Sequence, residues 1–119
     1  MKVENVFVVC KRSGLFAGVT RPIYKQERQG KYGLIGGKVE VGESLLDALL
    51  REIEEEGWKM QSVETRPFYH IENFNSTTYF FKGYGATMLR DFKEKGKIKQ
   101  VWLTVEQLTE NRNKFLKDF

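Results

Sequence analysis

Residues 37–58 read GKVEVGESLLDALLREIEEEGW, and this stretch decides the fold. A helix is predicted over residues 44–56, because apolar residues recur there at helical spacing and form one core-facing stripe: Leu45, Leu46, Leu49, Leu50 and Ile53. Ser44 is predicted to cap its N-terminus, with Asp47 as its capping partner. Gly57 directly follows the last predicted helical residue. The sequence therefore predicts one amphipathic helix with a defined start and end.

The acidic residues of this helix are placed badly for a purely structural role. Glu52, Glu55 and Glu56 share one sector at the edge of the apolar stripe, and like charges at such spacings cost about 0.2–0.5 kcal/mol each. They also lie near the helix C-terminus, where the helix dipole disfavours anions. Arg51 can pair with Glu55 but cannot neutralise three carboxylates. A bound divalent cation would turn this repulsion into coordination, and oxygen-only ligands favour Mg²⁺ or Mn²⁺ over zinc. The alternative is a solvated acidic face.

The residues just before the helix favour the metal. Gly36, Gly37 and Lys38 form a short glycine-rich segment. Because glycine has no side chain, this backbone can approach closely whatever the carboxylates hold. We therefore expect Gly36 and Lys38 to contact a substrate.

The spacing of the whole stretch resembles the signature of the Nudix hydrolases, the MutT-like G-x5-E-x7-R-E-U-x-E-E-x-G-U, in which U is aliphatic. Seven constrained positions match in order: Gly37, Glu43, Arg51, Glu52, Ile53, Glu55 and Glu56. The end of the signature departs, because Trp58 stands where the family has glycine and Lys59 where it has an aliphatic residue. Either Gly57 ends the helix one residue early, or Trp58 tolerates a different exit.

The resemblance implies a fold, an activity and a set of roles. The fold is a Nudix-like α/β/α sandwich with a mixed sheet, the signature helix and a C-terminal helix. The activity is metal-dependent hydrolysis of a nucleoside diphosphate linked to another group, in which water attacks phosphorus and breaks the pyrophosphate. The metal ligands are the carbonyl of Gly37 and three glutamates, Glu52, Glu55 and Glu56. Arg51 and Glu43 orient the site, and Arg21 binds phosphates or is an ordinary surface arginine.

The general base and the substrate stay open at this stage. Glu52 or Glu56 is the first choice of base, Glu94 the second and His70, the sole histidine, the third. Base-stacking candidates are five of the 16 aromatic residues, most of which must be core: Tyr24, Tyr32, Trp58, Phe68 and Tyr69. The short chain weakly favours a nucleoside triphosphate, which can be a modified one.

The rest of the chain reads as strands with a second helix. Strands are predicted over residues 3–10, 15–20, 62–72, 77–84 and 98–103, with a turn at Ser13-Gly14 and a loop over 21–31. Residues 32–41 are predicted to form a strand or a loop that bends sharply. Thr104 and Gln107 have capping-box spacing and predict a helix that carries Leu108 and Leu116 to the C-terminus. This pattern indicates an α+β protein with a single domain over residues 1–119.

Composition excludes several classes of protein. With 119 residues, 40% hydrophobic and 30% charged, the chain is neither disordered nor membrane-spanning. The lone Cys10 excludes an intramolecular disulfide and a multi-cysteine zinc site, so a cytoplasmic protein with Cys10 in its core is predicted. The protein is expected to be a monomer or a homodimer.

Charge leaves a second and a third class of function open. Outside residues 37–58 the chain carries a charge of +9, including alternating lysines at 93, 95, 97 and 99. Binding of RNA, or decapping of it, is therefore an alternative to a small nucleotide partner. A regulatory module that keeps the Nudix fold but has little turnover is the other alternative.

Overall fold

The computed structural model describes residues 2–20, 32–89, 98–108 and 110–119. In these ranges the strands are β1 Val3–Val9, β2 Lys11–Arg12, β3 Leu15–Thr20, β4 Tyr32–Lys38, β5 Trp58–Lys59, β6 Ser62–Val63, β7 Tyr69–Glu72, β8 Ser76–Tyr84, β9 Thr87–Met88 and β10 Lys99–Leu103. The α-helix α1 spans Leu45–Glu55, and two 3-10 helices span Val105–Gln107 and Asn111–Asp118. No helix among these residues is long and apolar enough to cross a membrane.

The main sheet is mixed, as predicted. Its order is β10-β3-β4-β1-β8-β6, with β2 paired to β3 and β7 paired to β8. The central pair β1 and β8 is parallel, while the neighbouring pairs β1–β4, β3–β4 and β3–β10 are antiparallel. β2 and β3 pair as a hairpin around the predicted turn, whose residues Ser13 and Gly14 have φ values of 52° and 80°, as a tight two-residue turn requires.

Each face of the sheet carries its own core, because side chains alternate along a strand. On one face Val6 and Val8 of β1 pack with Leu49 and Ile53 of α1. On the other face Phe7 and Val9 pack in a cluster that includes Leu108 and Leu116 near the C-terminus. The sheet therefore lies between α1 and the C-terminal segment, which is the predicted three-layer arrangement.

The single strand predicted over residues 62–72 is wrong. The structure has two short strands, β6 and β7, that both pair with β8. Val63 opposes Gly83, and Tyr69 opposes Phe80. The segment from Val63 to Tyr69 therefore has three more residues between its paired positions than the matching segment of β8 has. Pro67 stands among them and has no amide proton for a ladder. The chain bends out there and returns to the sheet at β7.

The single helix predicted from Thr104 to the C-terminus is also wrong. The capping box of Thr104 and Gln107 is present, but it closes only one 3-10 turn, Val105–Gln107. The C-terminal helix begins anew and spans Asn111–Asp118 in 3-10 form. Its two buried side chains, Asn113 and Leu116, are three residues apart, which is the spacing that a 3-10 helix puts on one face. Leu108 and Leu116, which the predicted helix was to carry, are both buried.

Candidate active site

Both ends of α1 are fixed by the residues that the sequence indicates. The Ser44 hydroxyl oxygen accepts a hydrogen bond from the backbone N–H of Asp47 at 3.1 Å. At the other end the helix stops at Glu55, and Gly57 takes a φ of 80°. Gly57 therefore ends the helix in the left-handed conformation, one residue earlier than the family signature would place it.

The buried face of α1 is rotated from the predicted stripe. Ala48, Leu49 and Ile53 are buried, but Leu50 is 47% exposed. Glu56 is only 2% exposed. It follows Leu45 by about three full turns, so it lies in line with the buried side of the helix rather than at its edge. A carboxylate thus occupies a place on the helix that an apolar side chain would normally take.

Arg51 is the centre of the ionic network on α1. Its Nε and Nη2 atoms donate to the two carboxylate oxygens of Glu43 at 2.8 and 2.9 Å, a bidentate pair. Its Nη1 donates to Glu52 at 2.9 Å and to Glu55 at 3.2 Å. Nη2 also donates to the Lys38 carbonyl at 3.1 Å. One guanidinium therefore links the loop before the helix, the end of β4 and two of the three predicted ligands.

This network shifts the pKa values of both partners in the bidentate pair. The Arg51 hydrogen bonds, with the Glu40 backbone N–H bond to the same carboxylate, lower the pKa of Glu43 to about 2. The hydrogen bond to Glu43 in turn raises the pKa of Arg51 above its usual range. Both groups are charged throughout the physiological range, so the pair is a permanent clamp.

Glycines of β4 bring backbone against two of the helix carboxylates. A Cβ on Gly37 would lie 2.7 Å from the Glu52 carboxyl carbon and from one of its oxygens, so only glycine leaves room there. The backbone N–H of Gly36 donates to Glu56 Oε1 at 3.3 Å. Strand β4 and helix α1 therefore meet at Glu52 and Glu56.

The donor set suits a hard divalent cation. Glu52, Glu55, Glu56 and the Gly37 carbonyl supply only oxygen, which Mg²⁺ and Mn²⁺ prefer. In the described ranges, however, no three acidic, histidine or cysteine side chains are gathered into a group that could hold an ion as they stand. Glu52 and Glu55 turn to Arg51, and Glu56 turns to Gly36. The ligand set stays a prediction that requires these carboxylates to turn towards one point.

Other residues singled out from the sequence lie elsewhere. Trp58 is buried rather than open to a base. Tyr69 stacks on Phe115 at 4.4 Å between ring centres, and Phe68 packs on Phe115 and Phe119. Tyr32 is half-buried against the C-terminal core. Trp58, Phe68 and Tyr32 are therefore used in packing, while Tyr69 stays 41% exposed on the face that carries the C-terminal segment.

Three candidates fall outside the described residues: Arg21, Tyr24 and Glu94. His70 is exposed on β7 and opposes Tyr79 on β8. Three strand spacings, about 14 Å, separate β7 from β4, so His70 is not close to Gly37 or Glu52.

One contact of the site had no signal in the sequence. The Trp58 indole N–H donates to the carbonyl of Gly18 on β3 at 3.0 Å, although 40 positions separate them. Every residue has a backbone carbonyl, so the residue type of Gly18 does not indicate that it accepts this hydrogen bond, and only the fold shows the contact.

Comparison with known proteins gives the family. The family model described as the NUDIX domain matches residues 3–119. The chain belongs to the Nudix family. Nudix hydrolases act on nucleoside diphosphates linked to another group and generally use divalent metal ions. No curated protein sequence matches the chain.

Solved structures agree with this Nudix fold. A structure from work on MutT of Aliivibrio salmonicida and Vibrio cholerae has a TM-score of 0.72 at 20% identity, covering 99% of this chain and 95% of that one. MutT from Bacillus halodurans has a TM-score of 0.70 at 19% identity, covering 98% and 80%. A protein described as an ADP compounds hydrolase has a TM-score of 0.68 at 17% identity, covering 95% and 68%. At these identities the likeness concerns the fold.

Proposed function

We propose that this Nudix hydrolase uses Mg²⁺, or Mn²⁺ in its place, to hydrolyse the pyrophosphate bond of a nucleoside triphosphate, including modified ones. The observation that carries the proposal is the meeting of α1 and β4. There the Glu52 and Glu56 carboxylates lie against the backbone of Gly37 and Gly36. The carboxylate and carbonyl oxygens there suit a divalent metal ion bound to a polyphosphate, and the charged Arg51 guanidinium lies beside them.

The residues of the site divide the proposed reaction between metal binding and positioning. A divalent ion held by Glu52, Glu55, Glu56 and the Gly37 carbonyl supplies charge neutralisation of the pyrophosphate and activation of water. Arg51, locked by Glu43, holds Glu52 and Glu55 in place.

The bond changes then follow. The water oxygen forms a bond to one phosphorus, the bond from that phosphorus to the bridging oxygen breaks, and the bridging oxygen leaves with the other half. Gly36 and Lys38 border the site, where we propose that they contact the phosphates.

We propose Glu52 or Glu56 as the group that takes the proton from water. Both lie at the junction with β4, whereas His70 lies about three strand spacings away. If either serves, Glu94→Gln and His70→Ala leave kcat nearly unchanged. A strong fall of kcat in Glu94→Gln, with unchanged metal affinity, would instead identify Glu94 as the base.

The deciding experiment is a panel of nucleotides assayed with Mg²⁺ by coupled phosphate detection. Glu55→Gln and Glu56→Gln are expected to lose most turnover while staying folded. Glu54→Gln is the matched control, because Glu54 lies on the same helix turn and is exposed like Glu55 but is not among the proposed ligands, and it should keep wild-type rates.

The outcomes separate the alternatives. Activity that survives exhaustive EDTA treatment would contradict the metal mechanism. Tight nucleotide binding without turnover of any compound would indicate the regulatory module. RNA binding with a steep salt dependence and no turnover would indicate the RNA-binding protein.

We further propose one domain over residues 1–119 that acts in the cytoplasm as a monomer or homodimer. Cys10, which is free and buried, needs no oxidising compartment. Light scattering after size exclusion measures the oligomeric state.

A further inference from the structure

Trp58 takes an unusual place for a large side chain. It directly follows Gly57, which ends the helix that carries the proposed metal ligands, and it is 1% exposed. Because the helix ends one residue early, the position that holds glycine in the family signature becomes the first residue of β5. The chain therefore leaves the signature helix and enters the core at once.

Contacts from β3, from β10 and from Leu89, the residue after β9, fix this exit. The Trp58 indole donates to Gly18 of β3 at 3.0 Å and meets the Trp102 ring of β10 edge to face, with ring centres 5.3 Å apart. The carbonyl of Gly57 accepts from the Gln100 side chain at 3.0 Å and from the Leu89 backbone at 2.9 Å. We call these contacts of Gly57 and Trp58 the exit anchor.

The exit anchor lies next to Glu56 in the chain and restrains it. The backbone N–H of Glu56 donates to the Glu52 carbonyl at 2.9 Å, and its side chain accepts from Gly36. The Glu56–Gly57 peptide donates its N–H to the Glu54 carbonyl at 3.1 Å, and the next peptide carries the Gly57 carbonyl, whose direction the exit anchor sets. Because these two peptides meet at the Gly57 Cα, release of the Gly57 carbonyl would let the chain turn about Gly57 and would let Glu56 move away from β4.

We infer that Trp58 is a positioning residue, which holds Glu56 at the junction of α1 and β4 through the Gly57 peptide. This inference rests on the proposed function, because it takes Glu56 as a metal ligand. A tryptophan that only filled the core would contribute to stability alone. A positioning tryptophan also sets the affinity for the metal, which can be measured without turnover.

The test is direct titration with Mn²⁺, in which electron paramagnetic resonance counts the free ion. Trp58→Phe keeps a ring but removes the indole N–H, and Gln100→Ala removes one bond to the Gly57 carbonyl without opening the core. Each is expected to weaken Mn²⁺ binding on the order of 10-fold, the lower end of the range for outer-shell partners of metal ligands. Leu116→Ala, on the opposite face of the sheet, is the control that lowers stability without touching the exit anchor.

Wild-type Mn²⁺ affinity in both exit-anchor variants, measured well below their melting temperatures, would overturn the inference. An equal loss of affinity in Leu116→Ala would also overturn it, since any destabilisation would then suffice. If Trp58→Phe does not fold, Gln100→Ala carries the test alone. A wild type that binds Mn²⁺ but hydrolyses no nucleotide refutes the proposed function and leaves this comparison intact. A wild type that binds no Mn²⁺ refutes both.

Discussion

Gly37→Ala is expected to lower kcat about 100-fold while the protein stays folded. A Cβ at this position would lie 2.7 Å from the Glu52 carboxyl carbon, whereas ordinary contact begins at 3.4 Å. The Glu52 carboxylate must therefore move by at least 0.7 Å, the difference between the two distances. A misplacement of about 1 Å in an active site can cost on the order of 100-fold in rate, or about 2.7 kcal/mol of transition-state stabilisation.

The same substitution should change stability little. Gly37 is not among the glycines with positive φ, so alanine fits its backbone. Alanine at such a site gains about 0.4–1 kcal/mol through the unfolded state, which offsets part of the new contact. Glu52 is half-buried, with 15% of its side chain exposed, and the carboxylate that the new methyl group meets is the far end of a flexible side chain that can move aside. The net change in the free energy of unfolding should therefore stay below about 1 kcal/mol. In a domain of 60–100 residues, 1 kcal/mol shifts Tm by about 4–8 °C, so the shift expected in this slightly larger domain is smaller than that.

The assay compares kcat and the circular dichroism melt of Gly37→Ala with those of wild type, and its kcat also with that of Gly14→Ala. A Cβ on Gly14 meets nothing within 4 Å, so this control introduces alanine without a contact, but its φ of 80° strains alanine and lowers the Tm. Gly14→Ala is therefore the control for kcat alone. In a double-mutant cycle, Glu52→Asp should cost less in the Gly37→Ala background than alone, because the shorter side chain withdraws from the new methyl group. Wild-type kcat in folded Gly37→Ala, or strict additivity with Glu52→Asp, would refute the reasoning.

Three further predictions concern the ionic groups. Because the folded-state pKa of Glu43 is lowered to about 2, its contribution to stability is complete above its ordinary value of 4.5 and is lost as pH falls towards 2. Acid titrations of unfolding should therefore be less steep in Glu43→Gln than in wild type across that range, and equal slopes would contradict the clamp. Glu56→Gln removes one of three neighbouring charges at nearly constant shape. In EDTA this variant should therefore melt higher than wild type, by a difference worth roughly 0.5–1 kcal/mol of stability. A lower Tm would show that the carboxylate makes a structural ion pair or hydrogen bond that the amide cannot replace. Mg²⁺ should raise the Tm of wild type by mass action and that of Glu56→Gln less, as differential scanning fluorimetry will measure.

Local patterns predicted the parts of the fold that local chemistry decides. Ser44 and Gly57 set the ends of α1 through hydrogen bonding and backbone conformation, which depend on near neighbours. The strand at residues 15–20 was placed correctly because its turn, Ser13-Gly14, lies directly before it. The signature spacing also indicated the Nudix family, which the family model confirms.

Other features depend on contacts between distant parts of the chain. Apolar periodicity put Leu50 in the core, but the helix packs with Glu56 inward, because β4 offers a backbone N–H to its carboxylate. Trp58 looked available for stacking, yet the carbonyl that holds its indole comes from β3. The break between β6 and β7 depends on pairing with β8, although Pro67 marks the place. In each case the deciding partner is remote in sequence.

The exit anchor also determines how this protein can be observed by light. Trp58 and Trp102 are the two tryptophans of the chain, and their rings touch. The Arg12 guanidinium lies 4.2 Å above the Trp102 ring. All indole absorption and emission therefore originate at one place, directly behind the helix that carries the proposed ligands. The indole bands of the near-ultraviolet circular dichroism and the tryptophan emission of the unlabelled protein report on that place, so a change in either on adding Mg²⁺ is a local signal that needs no attached dye.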